Sequence, residues 1–384
     1  MIGVLFPRFD HPAIEERYAS WQSQMLLREE DDVELAFYDP EEPSSLSSGF
    51  VDTDHILVVT DPLLVPPPRL AWRLREILVH TPEVIAAVPV TNESKNPHQR
   101  RDAPTPYLTL RELQQMASRL QSEGAEGERV KWDASDPGAY LIQSSVLDSI
   151  DDPPSRALAG RDVVISRNDY IHRWIDMRAE VRTDLLPLIS TDAKSIIELG
   201  CGEAALGAAI KKRQRCRVVG VEIDPHAASI ARKRIDEVYN GDVSHIVEIL
   251  KEKFDCIVGS EIVEHVDDPW TLLADLHGIA TPGGYLILSV PNIAHASIIG
   301  DLLEGRFDYT YIGLTCVGHL RFFTRRSIEE MLKLAGWEIV SVTPQRVPST
   351  GGDAVVRALE AAKIDIAKDD LLATGFYVVA QNRS

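Results

Sequence analysis

The sequence predicts an α/β protein in two units, the second of them a doubly wound sheet. The main sign is a regular alternation of short apolar runs with amphipathic stretches from residue 195 onward. A second is Ile196-Ile197-Glu198-Leu199-Gly200-Cys201-Gly202-Glu203-Ala204-Ala205-Leu206-Gly207, where a strand passes through a two-glycine turn straight into a helix. A third is Asp151-Asp152-Pro153-Pro154-Ser155, a turn-rich break that divides the chain into residues 1–152 and 153–384.

In the first unit Ile2–Phe6, Val33–Tyr38, Ile56–Val59, Val84–Val90 and Ala139–Ile142 read as strands. Pro68–His80 and Leu110–Gln121 read as helices, the former with Leu70, Trp72, Leu74, Ile77 and Leu78 apolar. The segment Ile56-Leu57-Val58-Val59-Thr60-Asp61-Pro62, followed by a helix and Val84–Val90, resembles the core of family 2 glycosyltransferases of the GT-A type. In that family the strand ends in Asp-x-Asp, which holds a metal and a nucleotide-sugar diphosphate. Here Asp61 stands alone between Thr60 and Pro62, and Asp52-Thr53-Asp54 has the spacing but precedes the strand. The resemblance implies a GT-A-like domain without the catalytic feature, used for binding or scaffolding.

The second unit opens on a helical pattern over Tyr170–Ile189, with Ile171, Trp174, Ile175, Met177, Val181, Leu185 and Leu186 apolar. Strands follow at 195–200, 217–223, Phe254–Ser260, Gly284–Val290, Glu338–Thr343 and Phe376–Gln381. Helices are expected at about 204–213, 225–237 and Pro269–Ile279. This order puts ligands at the carboxyl ends of the strands.

The chemistry of the glycine turn comes next. At Gly200 and Gly202 a Cβ would keep the backbone away from a ligand, and the turn itself favours positive φ. The helix after it aims its first N–H groups into the same crevice. About twenty residues on, Arg217–Asp224 reads as a buried strand ending in acids, where a carboxylate takes the hydroxyls of a ribose. Glu198 is ill placed beside a pyrophosphate and well placed beside an ammonium group. With Glu198 the stretch resembles motif I of class I S-adenosylmethionine (SAM) methyltransferases. That resemblance implies a Rossmann-like sheet of seven strands, the last antiparallel, and a helix ahead of motif I that covers the cofactor. It also implies that Asp242 hydrogen-bonds the adenine amino group. The implied cofactor-binding set is Glu198, Gly200, Cys201, Gly202, Glu222, Ile223, Asp242, Val243 and Ser260.

Past the fourth strand of this unit lies Glu261-Ile262-Val263-Glu264-His265-Val266-Asp267-Asp268-Pro269. If its first turn is helical, Glu261, Glu264 and His265 project from one side and can hold a divalent cation. The E-x-x-E-H motif resembles that of ubiquinone-biosynthesis O-methyltransferases and of small-RNA terminal 2′-O-methyltransferases. In the latter a distant histidine joins the metal; the matching residue is His319 in Gly318-His319-Leu320-Arg321-Phe322-Phe323-Thr324. The resemblance implies Glu261, Glu264, His265 and His319 as ligands of Mg²⁺ or Mn²⁺, with His265 or His319 as general base if no metal binds. The block from Pro291-Asn292-Ile293-Ala294-His295 to His319–Thr324 also looks like methyltransferases of bacterial polysaccharide clusters. One departure is the run Leu314-Thr315-Cys316-Val317-Gly318 before the histidine, where those proteins carry an acid and a threonine. His295 itself reads as a surface loop residue.

Composition bounds these readings. A length of 384 residues, 44% hydrophobic and 26% charged, suits a soluble globular chain with a sizeable core. The net charge of −19 argues against nucleic acid and anionic membrane as partners. No apolar run reaches membrane-spanning length, and the start Met1–Pro7 lacks a basic n-region, so the cytoplasm is the default location. Cys201, Cys216, Cys256 and Cys316 form no paired framework, and Cys201 and Cys256 read as buried thiols. The function these observations imply is a SAM-dependent O-methyltransferase, metal-assisted, acting on a hydroxyl of a sugar, nucleotide sugar or glycosylated metabolite. The competing readings are an RNA terminal 2′-O-methyltransferase and a scaffold that keeps the fold without turnover. A small molecule or glycan is the expected partner, and a homo-oligomer stays open.

Overall fold

The structure is a computed structural model that describes residues 1–28, 32–40, 53–103, 107–124, 127–147, 154–174 and 181–383. It divides into Met1–Ile175 with Asp308–Ile312, and Asp176–Phe307 with Gly313–Ser384. Among the described residues no helix is long and apolar enough to cross a membrane.

The first unit is one mixed sheet with helices against it. Its strands are β1 (Ile2–Pro7), β2 (Val33–Tyr38), β3 (His55–Val59), β4 (Leu64–Val65), β5 (Ala86–Thr91), β6 (Gly127–Lys131), β7 (Ala139–Gln143) and β8 (Asp162–Arg173). They lie in the order β2-β1-β3-β7-β5-β8-β4, with β6 also on β8. β1, β3 and β5 are buried along their whole length, which is why they read as unbroken apolar runs. The helices at Leu70–His80 and Leu110–Ser122 match the periodic stretches, and Thr109 caps the latter by accepting from the Glu112 N–H. A helix at Ile14–Arg28 was not foreseen. It buries Glu16, Ser20, Gln22 and Ser23 while Trp21 and Met25 stay exposed, the reverse of an ordinary amphipathic pattern.

Two expectations need correction here. Among the described residues the helix expected over Tyr170–Ile189 is not seen: Tyr170–Arg173 end β8, and Leu186–Leu188 make a single 3-10 turn. The break at 152/153 is likewise displaced to Ile175/Asp176. The cause is β8, which pairs in parallel with β5 from Val163 to Ile171 and so belongs to the first sheet. Asp52, residues 151–153 and the middle of the expected helix, 175–180, lie outside the described residues.

The second unit carries β9 (Ser195–Leu199), β10 (Arg217–Glu222), β11 (Glu237–Asn240), β12 (Phe254–Ser260), β13 (Ala280–Pro291), β14 (Glu338–Gln345) and β15 (Gly375–Gln381). Their order is β11-β10-β9-β12-β13-β15-β14, so the seven-stranded doubly wound sheet is present. All neighbours are parallel except β15, which runs antiparallel to both β13 and β14. Ile196, Ile197, Val218, Val219, Ile257, Val258, Leu286 and Leu288 are fully buried, as strands covered on both faces must be. The helix Pro269–Ile279 starts where Asp268 accepts from the Thr271 N–H and Pro269 takes the first position. The helix expected over 225–237 stops at Ala231, because Glu237–Asn240 pair with β10 as an edge strand. That order places the carboxyl ends of β9, β10, β12 and β13 side by side, with the chain reversing direction between β9 and β12.

Candidate active site

The glycine turn has the strained geometry its residues suggest. Gly200 (φ 62°) and Gly202 (φ 53°) lie in the left-handed region, and so does Ala204 (φ 58°) just before the helix Ala205–Arg213. A Cβ on Gly200 would fall 2.8 Å from Ile262 Cδ1, so the turn and the segment after β12 touch through a missing side chain. The turn is tied down by Cys201 N–H to Val221 O (3.0 Å) and Gly202 N–H to Glu222 Oε2 (2.7 Å). Burial pushes the Cys201 thiol far up and that of Cys256 to about 12, so both are inert thiols, in line with their apolar contexts.

The acids around this turn differ in what they hold. Glu198 is buried and accepts one hydrogen bond, from Gly207 N–H at 3.0 Å. Burial raises its pKa to about 8; the Gly207 bond opposes the shift and the Glu222 charge adds to it. Among the described residues no cation pairs with it. Glu222 accepts from Gly202 N–H and from Asp224 N–H (2.8 Å), which fixes its carboxylate at the end of β10. Ile223 beside it, just past the end of β10, is 68% exposed. Gly241 N–H donates to Glu222 O (3.0 Å), which brings Asp242 next to this pair. Asp242 is exposed and caps the helix Val243–Ile249 through Ser244 N–H (2.9 Å), while Val243 turns inward. Ser260 closes β12.

Beyond β12, Glu261 takes a left-handed conformation (φ 50°), with its N–H on Ser289 O at 3.1 Å. Val263–His265 then form one 3-10 turn rather than the start of an α-helix. The turn brings together Glu264, His265 and His319, whose ligand atoms lie within 4.8 Å of one another. Glu261 stays outside this group of three, though its charge bears on Glu264. Glu264 is fully buried, and among the described residues neither of its carboxylate oxygens has a hydrogen-bond partner, nor has His319 Nδ1. Burial first and the Glu261 charge second push the Glu264 carboxyl well above its ordinary range. The backbone beneath is firm: Leu320 N–H and Arg321 N–H both donate to Glu264 O (2.8 and 3.1 Å). His265 Nδ1 lies 3.0 Å from Gly318 O, and since a carbonyl only accepts, Nδ1 donates there and Nε2 is the ring atom left for a ligand. Burial, with the His265 charge, lowers His319 to about 4, so that ring is neutral at pH 7. Two imidazoles and a buried carboxylate without a partner among the described residues suit a divalent cation in donor chemistry.

One group escaped the sequence reading. Arg182 donates to Ser260 Oγ and, at 3.3 Å, to Ser289 Oγ, and it pairs with Asp184 at 2.8 Å. Burial pushes Asp184 up, but hydrogen bonds from Arg182 and from the Tyr377 hydroxyl (2.6 Å) outweigh it and hold the carboxyl at about 2. Nothing in the sequence marks a lone arginine ahead of β9 as a site residue; only the fold brings it to the ends of β12 and β13. His295 also differs from expectation: it is 1% exposed and caps the helix Ala296–Leu303 by accepting from Ser297 N–H. Of the aromatic pair, Phe323 is core and Phe322 is open. Arg325 and Arg326 pair with Glu329 and Glu330 on their own helix.

With this geometry in hand, comparison with known proteins is informative. Residues 170–342 match the model of a methyltransferase domain. The chain is 24% identical over 179 residues to a ubiquinone biosynthesis O-methyltransferase of Cereibacter sphaeroides, covering 45% of this chain and 71% of that protein. A protein of the same name from Pseudomonas entomophila is 29% identical over 139 residues, 32% of this chain and 59% of its own length. Among solved structures, a SAM-dependent methyltransferase from Archaeoglobus fulgidus aligns over 50% of this chain and 87% of its own, at 15% identity and a TM-score of 0.38. The domain match and the O-methyltransferase relatives agree with the strand order and the glycine turn: residues 170–342 carry a methyltransferase domain.

Proposed function

We propose that this enzyme is a divalent-cation-assisted O-methyltransferase acting on a hydroxyl of a sugar, a nucleotide sugar or a glycosylated metabolite. The observation that carries the reading is the buried, unpartnered Glu264 carboxylate converging with His265 and His319. SAM supplies an electrophilic methyl group, and Mg²⁺ or Mn²⁺ held by Glu264, His265 and His319, with Glu261 alongside, would orient a vicinal diol and make it more acidic.

The chain's own residues take the following parts in this reading. Glu198 receives the ammonium of the cofactor, which relieves the cost of ionising a carboxyl whose pKa stands near 8. Glu222 offers its carboxylate to the ribose, and Asp242 offers the oxygen not engaged in capping to the adenine amino group. Gly200, Cys201 and Gly202 let the backbone come close, Ile223 and Val243 flank the base, and Ser260 faces the methionine end. Arg182, anchored on Ser260 and Ser289, is suited to the methionine carboxylate. Without a cation, the open Nε2 of His265 is the better base; His319, near 4, is too weak an acceptor at pH 7 and serves as a ligand.

The first unit fits a glycosyltransferase-like module kept for binding. Its strand-end acid, Asp61, accepts from Leu63 N–H at 2.9 Å and is paired with Arg173, so it is already engaged.

The test is transfer of labelled methyl from SAM to methyl glycosides and nucleotide sugars, with and without chelator. Transfer to a sugar hydroxyl that chelator abolishes and Mg²⁺ or Mn²⁺ restores is the expected result. Transfer only to RNA 3′ ends, or transfer indifferent to chelator, would contradict it.

A further inference from the structure

The first unit holds a group of rings with no part in methyl transfer. His172, near the carboxyl end of β8, and Trp174, just past it, have ring centroids 4.6 Å apart at 80°. Tyr107 stands edge-on to His172 at 5.3 Å. Tyr311, from the Asp308–Ile312 segment that groups with this unit, lies 6.1 Å from Trp174. β8 runs parallel to β5, so the rings collect where an α/β sheet ordinarily meets its ligand.

The polar atoms narrow the ligand. Tyr107 Oη and His172 Nδ1 are hydrogen-bonded, and burial lowers the imidazole to about 4, leaving it neutral. The phenol oxygen both donates and accepts, and the tautomer in which it donates to Nδ1 leaves the ring proton on Nε2. Trp174 Nε1–H is buried and has no partner among the described residues. A buried N–H left in that state is unfavourable until an oxygen meets it. Arg173, the neighbouring cation, is already paired with Asp61. The cluster therefore presents ring faces and neutral N–H donors rather than a positive charge. A phosphate would find no unpaired cation on this strand, and a purely apolar ligand would leave Nε1–H unmet.

We infer that Trp174, His172, Tyr107 and Tyr311 form a binding site for a neutral pyranose, with a C–H face of the sugar on Trp174 and its hydroxyl oxygens on Trp174 Nε1 and His172 Nε2. The inference deepens the reading of the first unit as a binding module and rests on it. The ligand class follows from the pairing of aromatic faces with neutral donors: the faces suit axial C–H groups and the donors suit hydroxyl oxygens.

The test is saturation-transfer NMR on the full chain with the methyl glycosides of glucose, mannose and N-acetylglucosamine as probes. At least one should receive saturation from wild type and from His319→Ala. Trp174→Ala should abolish the signal, and Trp174→Phe, which keeps a ring and loses the N–H, should weaken binding about tenfold. An unchanged circular-dichroism spectrum and thermal melt in both Trp174 variants, besides retained SAM binding, show that both units are folded. No transfer to any of the three glycosides from wild type, or undiminished transfer in Trp174→Ala, would overturn the inference. So would displacement by choline, which would mark the rings as a cation cage. Release of nucleotide from UDP-glucose by the same preparation would instead contradict the non-catalytic reading of the unit and leave the ring site standing.

Discussion

Asp61 follows β3 of the first sheet and Glu264 follows β12 of the second, and both carboxylates are buried. Asp61 is closed off by the protein itself, through Leu63 N–H and the Arg173 guanidinium. Glu264 is left open: among the described residues no donor reaches its carboxylate, and two imidazoles stand beside it. A buried carboxylate is tolerated when paired and costly when orphaned. The first arrangement stabilises a fold, and the second costs stability that, in the proposed reading, a bound cation would offset. An acid just after a sheet strand is thus satisfied within the first unit and, among the described residues, unpartnered in the second.

The largest effect that could break this contrast is at the open carboxylate. Glu264→Ala should lower methyl transfer by roughly 100-fold or more, with SAM affinity held within about threefold. Parallel turnover and calorimetric titrations check this. A variant that loses both together would mean that Glu264 supports the fold rather than the chemistry.

Glu198 gives the next largest effect and sharpens the same point in the cofactor site. Its pKa is raised from 4.5 to about 8, so its share of stability is full below 4.5 and lost as pH rises through 8. Glu198→Gln should remove that slope and be the more stable protein at pH 9, by on the order of 3 kcal/mol. It should also bind SAM about tenfold more weakly, having lost the charge for the ammonium. In wild type at pH 7, SAM binding should release protons, seen as a binding heat that varies with buffer ionisation enthalpy. Denaturation curves with matching pH slopes in both proteins would contradict this.

At the closed carboxylate the change is smaller. Asp61→Ala should cost about 1 kcal/mol, because Arg173 is half exposed and water replaces much of the pair. Methyl transfer should be unchanged; a loss comparable to that of Glu264→Ala would erase the distinction. The smallest effect is expected of Asp242→Asn. Asparagine caps a helix as well as aspartate does, so thermal stability should move by a few tenths of a kcal/mol while SAM affinity falls about fivefold.

How much of this was legible in the sequence depends on what each residue answers to. The strand at 195–199, the turn at Gly200 and Gly202, and the acid ending β10 follow from local rules of burial and backbone conformation, and they stand where those rules put them. β8 was hidden because its pairing shifts between Pro89 and Val90 of β5, which breaks the alternation around Arg167–Asp169. Ile171 and Trp174 then mimic the spacing of a helix. β11 is a four-residue edge strand with polar ends and carries almost no periodic signal. The E-x-x-E-H spacing foretold a cluster but assumed an α-helical turn; the 3-10 turn and the left-handed Glu261 set Glu261 apart from the other three. Arg182 and His295 have their surroundings fixed by segments distant in sequence, and no local pattern encodes those.

The most direct measurement is a calorimetric titration of Mg²⁺ into SAM-loaded protein, for wild type and for Glu264→Ala/His319→Ala. The expected result is SAM bound by both proteins and a metal-binding heat in wild type alone. A heat of equal size in both, or in neither, would mean that the open carboxylate and its histidines do not hold a cation.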